Sequence, residues 1–244
     1  MAQDSSLYKR QQYSDGKNTL NYRILYPSDY DVNRKYPLIL VLHGSGERGN
    51  GNNAQLVHGG KLFLDSAIRV DYPAFVVFPQ CPAEDFWANL KKEDKKDSLG
   101  GFGYMSHKPV KKSLGLVSML MDSLAQTPQI NTKKMYIGGL SMGGMGTFEL
   151  LWRKPKFFAA AFPICGGGDP AKVNAYAKNF PIWVFHGGAD KIVTPANSRI
   201  MVNALLKAGA KVKYTEYPGV GHDSWNNAFA EPDLLKWLFA QEAQ

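Results

Sequence analysis

The densest chemical signal in the chain is Gly139-Leu140-Ser141-Met142-Gly143, a serine held between glycines directly after the apolar run Met135 to Ile137. A helical stretch starts near Gly144. In a strand-to-helix junction this pattern forms a tight turn whose glycines let a strained serine project its hydroxyl above a sheet. A serine hydroxyl is a poor nucleophile at neutral pH, so it needs a histidine base and a carboxylate that orients the base. Both follow in the order Ser, Asp, His. Asp190 ends His186-Gly187-Gly188-Ala189-Asp190 and His222 ends Gly219-Val220-Gly221-His222, each just beyond an apolar run. Two other carboxylates compete for the acid role. Asp223 is adjacent to the histidine and Asp169 lies one strand too early, so Ser141, Asp190 and His222 are expected to be catalytic.

An acyl-transfer site also needs N–H donors for the oxyanion. His43-Gly44-Ser45-Gly46-Glu47-Arg48-Gly49 follows the run Leu38 to Leu42 and turns where such a donor belongs. The backbones of Ser45 and Met142 are the expected oxyanion hole, with Glu47 and Arg48 bracing the loop as an ion pair. Gln80, Trp87 and Trp225 are candidate substrate-binding residues: Gln80 ends the neighbouring strand, Trp87 sits in an irregular segment with Phe86, Phe102 and Tyr104, and Trp225 follows the histidine by three residues. Loop aromatics can stack on a sugar or phenolic ring. His186 is expected to bond loop backbone, and His58 and His107 to be solvated or capping residues. No H-x-x-x-H or Cys/His cluster suggests a metal, and no cofactor is expected.

The elements that must position these groups are read from periodicity. Short apolar runs at Leu38–Leu42, Phe75–Phe78, Met135–Ile137, Ala159–Phe162 and Ile182–Phe185, separated by stretches long enough for helices, point to parallel strands with crossovers. Val212–Tyr217 alternates and reads as an outer strand. Tyr8–Tyr26, broken by Ser14-Asp15-Gly16-Lys17-Asn18, reads as an antiparallel hairpin at the first edge. Helical stripes are Val110, Leu114, Val117, Met121 and Leu124, then Ile200, Ala204 and Lys207 with Leu205, then Leu234, Leu235, Trp237 and Leu238. The fold class is α/β, with a mostly parallel central sheet and helices on both faces. Residues 1–244 are expected to form one domain, with an irregular active-site loop insertion at about 82–109.

Composition narrows the rest. The 29 Lys+Arg exceed the 21 Asp+Glu, but Lys91, Lys92, Lys95 and Lys96 alternate with Glu93, Asp94 and Asp97, a mixed surface rather than a phosphate-tracking stripe. Nucleic acid is therefore not an expected partner. No apolar run approaches the ~20 residues of a bilayer span. In the strand order usual for a fold of this class, Cys81 and Cys165 end strands about three spacings apart, roughly 14 Å, against the ~7 Å limit for a disulfide, so free buried thiols are expected.

HGSGERG at 43–49, PQCP at 79–82, GLSMGG at 139–144, HGGADKIV at 186–193 and GHDSW at 221–225 together resemble the phospholipase/carboxylesterase-like branch of the α/β-hydrolases. Within it the chain is similar to bacterial feruloyl and acetyl xylan esterases of the carbohydrate esterase family 1 kind. The likeness spans residues 36 to 239. It implies a serine carboxylic-ester hydrolase acting through an acyl-enzyme on feruloyl or acetyl esters of xylan, with a generic short-chain carboxylesterase or a prolyl-oligopeptidase-like peptidase as alternatives. The start Met1-Ala2-Gln3-Asp4 resembles secreted bacterial proteins after leader removal, which implies a secreted or periplasmic location.

Overall fold

The computed structural model describes residues 5–92 and 102–243. Among the described residues ten strands run in chain order as β1 Lys9–Ser14, β2 Thr19–Leu25, β3 Tyr36–Leu42, β4 Phe75–Pro79, β5 Leu90–Lys92, β6 Phe102–Tyr104, β7 Ile130–Leu140, β8 Ala160–Ile164, β9 Pro181–Gly187 and β10 Lys211–Tyr217. The helices are α1 Ser66–Asp71, α2 Lys112–Ala125, α3 Met142–Arg153, α4 Ala196–Lys207, α5 Trp225–Phe229 and α6 Leu234–Phe239. Eight strands form one sheet in the order β1-β2-β4-β3-β7-β8-β9-β10. From β4 to β10 all neighbours are parallel, while β1 and β2 close one edge as the antiparallel hairpin. This is the α/β-hydrolase fold.

Strands such as β3, β4 and β8 are buried almost throughout because both faces of the sheet are covered. One face packs Leu38, Leu40, Ile137, Ile182 and Val184 against α2, α3 and α4. The other packs Ile39, Val41, Tyr136, Phe162 and Trp183 against residues of α1, α5 and α6. The alternation along each strand divides the two cores.

Three expectations need correction. The segment 82–109 is not wholly irregular: β5 and β6 pair as an antiparallel hairpin, Leu90 opposite Tyr104 and Lys92 opposite Phe102. Three-residue strands with interrupting lysines carry too little periodicity to be read. The part of that segment at 93–101 lies outside the described residues. Val110 precedes α2, which starts at Lys112, because the N-cap Lys111 has non-helical backbone with ψ 143°. In α4 the buried face is Asn197, Ser198, Met201, Val202 and Leu205 rather than the Ile200, Ala204 and Lys207 stripe. Ser198 docks the helix through a hydrogen bond with His186. A polar contact therefore sets the face that apolar periodicity misplaces.

Candidate active site

Ser141 stands between β7 and α3 with φ 52° and ψ −115°. Positive φ in a non-glycine is a strained conformation, held here from both sides. Its N–H donates to the Ile164 carbonyl of β8 at 2.9 Å, and its carbonyl accepts the Met145 N–H at 3.0 Å. The turn is tight enough that a Cβ on Gly143 would stand 1.9 Å from the Leu42 carbonyl oxygen. Glycine is therefore demanded there by the end of β3. The same close approach seats the loop after β3 against the serine.

The acid and histidine loops are sewn together beside it. Ala189 N–H donates to the Val220 carbonyl at 2.9 Å and Gly188 N–H to the Tyr217 carbonyl at 2.8 Å. His222 Nδ1 lies 2.6 Å from Asp190 Oδ2, and His222 Nε2 lies 2.9 Å from Ser141 Oγ. An ionised carboxylate only accepts, so Nδ1 carries the proton and Nε2 faces the hydroxyl as acceptor. Asp190 Oδ1 accepts the N–H groups of Ile192 and Val193 at 2.8 and 3.0 Å. His186 Nε2 lies 3.3 Å from Oδ2 and 2.8 Å from the Val193 carbonyl. Burial alone would raise the Asp190 carboxyl, but bonds from His186, His222 and the Ile192 N–H outweigh it and hold the group well below the usual carboxylate range. Asp190 thus stays charged beside His222. Asp169, its rival in the sequence, caps the turn at Pro170–Ala175 instead.

The loop of residues 43–49 is oriented by a histidine that sequence reasoning passed over. His43 Nε2 accepts the Cys81 N–H at 2.9 Å, so its Nδ1 carries the proton and donates to the Gly44 carbonyl at 2.6 Å. A planar trans peptide points its C=O and N–H oppositely. Fixing the Gly44 carbonyl on His43 therefore aims the Ser45 N–H away from it. Among the described residues neither the Ser45 nor the Met142 N–H has an acceptor. The signal was the HG dipeptide at the strand end.

Two of the substrate-binding candidates do not line the cleft. Trp87 is 0% exposed. Its Nε1–H donates to the His43 carbonyl at 3.0 Å, and its ring packs edgewise on His43 at 5.2 Å. Gln80 is 3% exposed, with its amide committed to the Asn52 N–H at 2.6 Å and the Glu47 carbonyl at 3.0 Å. Both brace the 43–49 loop from behind. Trp225 is half-buried against His222, ring centroids 5.4 Å apart and near perpendicular. The expected Glu47–Arg48 ion pair is absent among the described residues: Arg48 donates to the Ser45, Ala83 and Asp85 carbonyls, and Glu47 faces His58 at 3.6 Å. His58 is thus partnered rather than merely solvated.

Cys81 and Cys165 are both free and buried, and they lie just beyond the ends of β4 and β8, which have β3 and β7 between them in the sheet. Cys165 Sγ, Asp190 and His222 offer ligand atoms within 4.8 Å of one another. Burial pushes the Cys165 thiol up to about 12, and the other two groups are bonded to each other. The arrangement is suited to proton transfer from Ser141 rather than to holding a cation.

The phospholipase/carboxylesterase family matches residues 31–233. The chain belongs to that family. Membership, with the esterases among its relatives, makes it a serine ester hydrolase. Mouse lysophospholipase-like protein 1 is 24% identical over 83% of this chain and 86% of its own. A probable feruloyl esterase C of Aspergillus niger is 24% identical over 71% of this chain and 59% of its own. Among solved structures, a thermostable esterase superposes with TM-score 0.87 at 35% identity, covering 97% of this chain. The chain spans only 64% of that esterase. A ferulic acid esterase from Anaeromyces mucronatus shares the fold, with TM-score 0.67 at 15% identity over 96% of this chain and 90% of its own.

Proposed function

We propose that the chain hydrolyses carboxylic esters through an acyl-enzyme on Ser141, and that its substrates are feruloyl or acetyl esters on plant polysaccharide met outside the cytoplasm. The observation that carries the chemistry is the continuous relay from Ser141 Oγ through His222 to Asp190, at 2.9 and 2.6 Å. His222 Nε2 takes the hydroxyl proton as Oγ attacks the carbonyl carbon. The oxyanion then rests on the Ser45 and Met142 N–H groups. Collapse expels the alkoxide, which takes the proton back from His222, and water repeats the sequence to release the acid. The likeness to feruloyl esterases supports the substrate class.

A second reading has its own support. Acyl-protein thioesterase 1 of Neurospora crassa is 31% identical over 39% of this chain, and the mouse relative is named for lysophospholipid. Turnover of methyl ferulate, acetylated xylan, p-nitrophenyl acetate and a palmitoyl thioester separates the readings. The polysaccharide reading expects the first two to exceed the thioester in kcat/KM, and the reverse ranking overturns it. Ser141→Ala is expected to abolish turnover on all four, leaving no more than the ~10³–10⁴-fold over water that such sites retain without the nucleophile. Wild-type turnover in that variant would remove Ser141 from the mechanism.

A further inference from the structure

Ester hydrolysis as proposed above engages Ser141, His222, Asp190 and two N–H groups, and makes no use of a second acid–histidine pair that flanks them. Glu47 lies two residues beyond the oxyanion donor Ser45, in the same short turn. Its side chain is only 13% exposed, with Oε1 3.6 Å from His58 Nε2. Oε2 is buried with no hydrogen-bond partner among the described residues. The His58 ring lies 4.9 Å from the Trp225 ring, tilted by 44°. Trp225 in turn sets its plane at 84° to His222, at 5.4 Å. The contacts run without a break from the oxyanion loop to the histidine.

The backbone under His58 is fixed. Gly59 has φ +82°, and a Cβ there would stand 2.5 Å from the Phe229 ring of α5, the helix that Trp225 begins. The Gly60 carbonyl accepts the Tyr8 hydroxyl at 2.9 Å. Among the described residues no backbone hydrogen bond joins the 43–49 loop to the 219–225 loop. Ser45 and His222 must act on one substrate carbonyl, yet they arrive from opposite ends of the chain. On this flank of the site the side chains of Glu47, His58 and Trp225 connect them.

We propose that Glu47 and His58 are positioning residues that hold the oxyanion loop in register with His222 through the Trp225 ring. The pair touches neither the reacting atoms nor the triad carboxylate. Its effect is on geometry. Displacement of a donor or base by about 1 Å can reduce rate by ~10²-fold without weakening binding. The inference rests on the assignment of Ser141 and His222 as nucleophile and base.

The test is p-nitrophenyl acetate kinetics on the full chain, with thermal melting and the rate of Ser141 labelling by a fluorophosphonate measured alongside. His58→Ala, His58→Gln, Glu47→Gln and the Glu47→Gln/His58→Ala double variant are compared with wild type and with Ser141→Ala. The alanine variant is expected to lose about 10- to 100-fold in kcat and in labelling rate, with KM within about twofold and an unchanged melting temperature. Glutamine at position 58 is expected to recover part of the loss, because it still reaches Glu47 with a donor. The double variant is expected to be no worse than the poorer single, since two residues acting as one unit do not add. Wild-type kcat in both His58→Ala and Glu47→Gln, or losses that multiply in their double, overturns the proposal. So does a fall in kcat that tracks melting temperature with glutamine no better than alanine. Should alanine at 58 prevent folding, the near-isosteric glutamine variants carry the same comparison. A failed pair leaves Ser141→Ala inactive, whereas turnover in Ser141→Ala removes the assignment on which the pair rests.

Discussion

His43 shows how one buried residue ties stability to the geometry of the loop it orients. Burial pulls its pKa from 6.5 down to about 4, against the opposing pull of its bond to the Gly44 carbonyl. In the unfolded chain the imidazole titrates near its ordinary value, so the native state binds fewer protons between the two values. The stability that a neutral His43 contributes is therefore fully present above about pH 6.5 and is lost as pH falls toward 4, in total about 3 kcal/mol. Urea unfolding at pH 7, 5.5 and 4.5 is expected to show this slope in wild type and a flatter one in His43→Gln. Equal slopes would mean that the imidazole titrates normally. Asp190 acts in a lower window. Its carboxyl is held below 3.8, so the stability it contributes is present above that value and declines only beneath it. At this scale the three side chains that the structure brings together, Ser141, His222 and Asp190, were legible because each stands just beyond a strand end. His43 was less so: its one mark is the HG dipeptide at a strand end, since a histidine that orients a neighbouring peptide has no spacing rule.

Among the elements, the insertion between β4 and α2 departs furthest from what its residues suggest. An aromatic in an irregular segment reads equally well as a stacking platform over the site or as an anchor beneath it, because sequence carries no contact information. Trp87 is the anchor: its Cβ lies 2.6 Å from where a Cβ on Gly146 of α3 would stand, and its indole holds the His43 carbonyl at 3.0 Å. Trp87→Ala is expected to cost about 3–5 kcal/mol through the cavity and the lost bond. It should also lower kcat on p-nitrophenyl acetate, because the loop that carries the Ser45 N–H loses its backing. Denaturant midpoint and steady-state kinetics check both. A variant of unchanged stability that raises KM for a feruloyl ester alone would return the ring to the rim. The hairpin of β5 and β6 and the buried face of α4 were illegible for a related reason, since backbone pairing and the His186–Ser198 bond fix them rather than apolar period.

For the molecule as a whole, recurring apolar runs with helix-length gaps made the parallel sheet readable, and the carboxyl-end rim of such a sheet is where loops can converge. Strand order was less accessible. That β4 lies outside β3 depends on where a crossover returns, which composition does not encode. Whether the site survives without the chain's last elements is a question of stability, since every proposed catalytic group precedes Ala230. Helix α6 buries Leu234, Leu235 and Leu238 against the second face, and Trp237 packs edgewise on Trp183 of β9 at 5.5 Å. Beyond it the Gln241 carbonyl accepts the Tyr136 hydroxyl at 2.9 Å, and the Ala243 N–H donates to the Lys133 carbonyl at 2.8 Å, tying the chain end to β7. At ~1.5–3 kcal/mol per buried leucine, the three alone contribute roughly 5–9 kcal/mol. Total stability of a domain is only about 5–15 kcal/mol. A chain ending at Ala230 is therefore expected to lose cooperative melting by circular dichroism and all turnover, although it keeps Ser141, Asp190 and His222. Cooperative unfolding with retained turnover in that chain would show that β7 and β9 hold the elbow and acid loop without their cover.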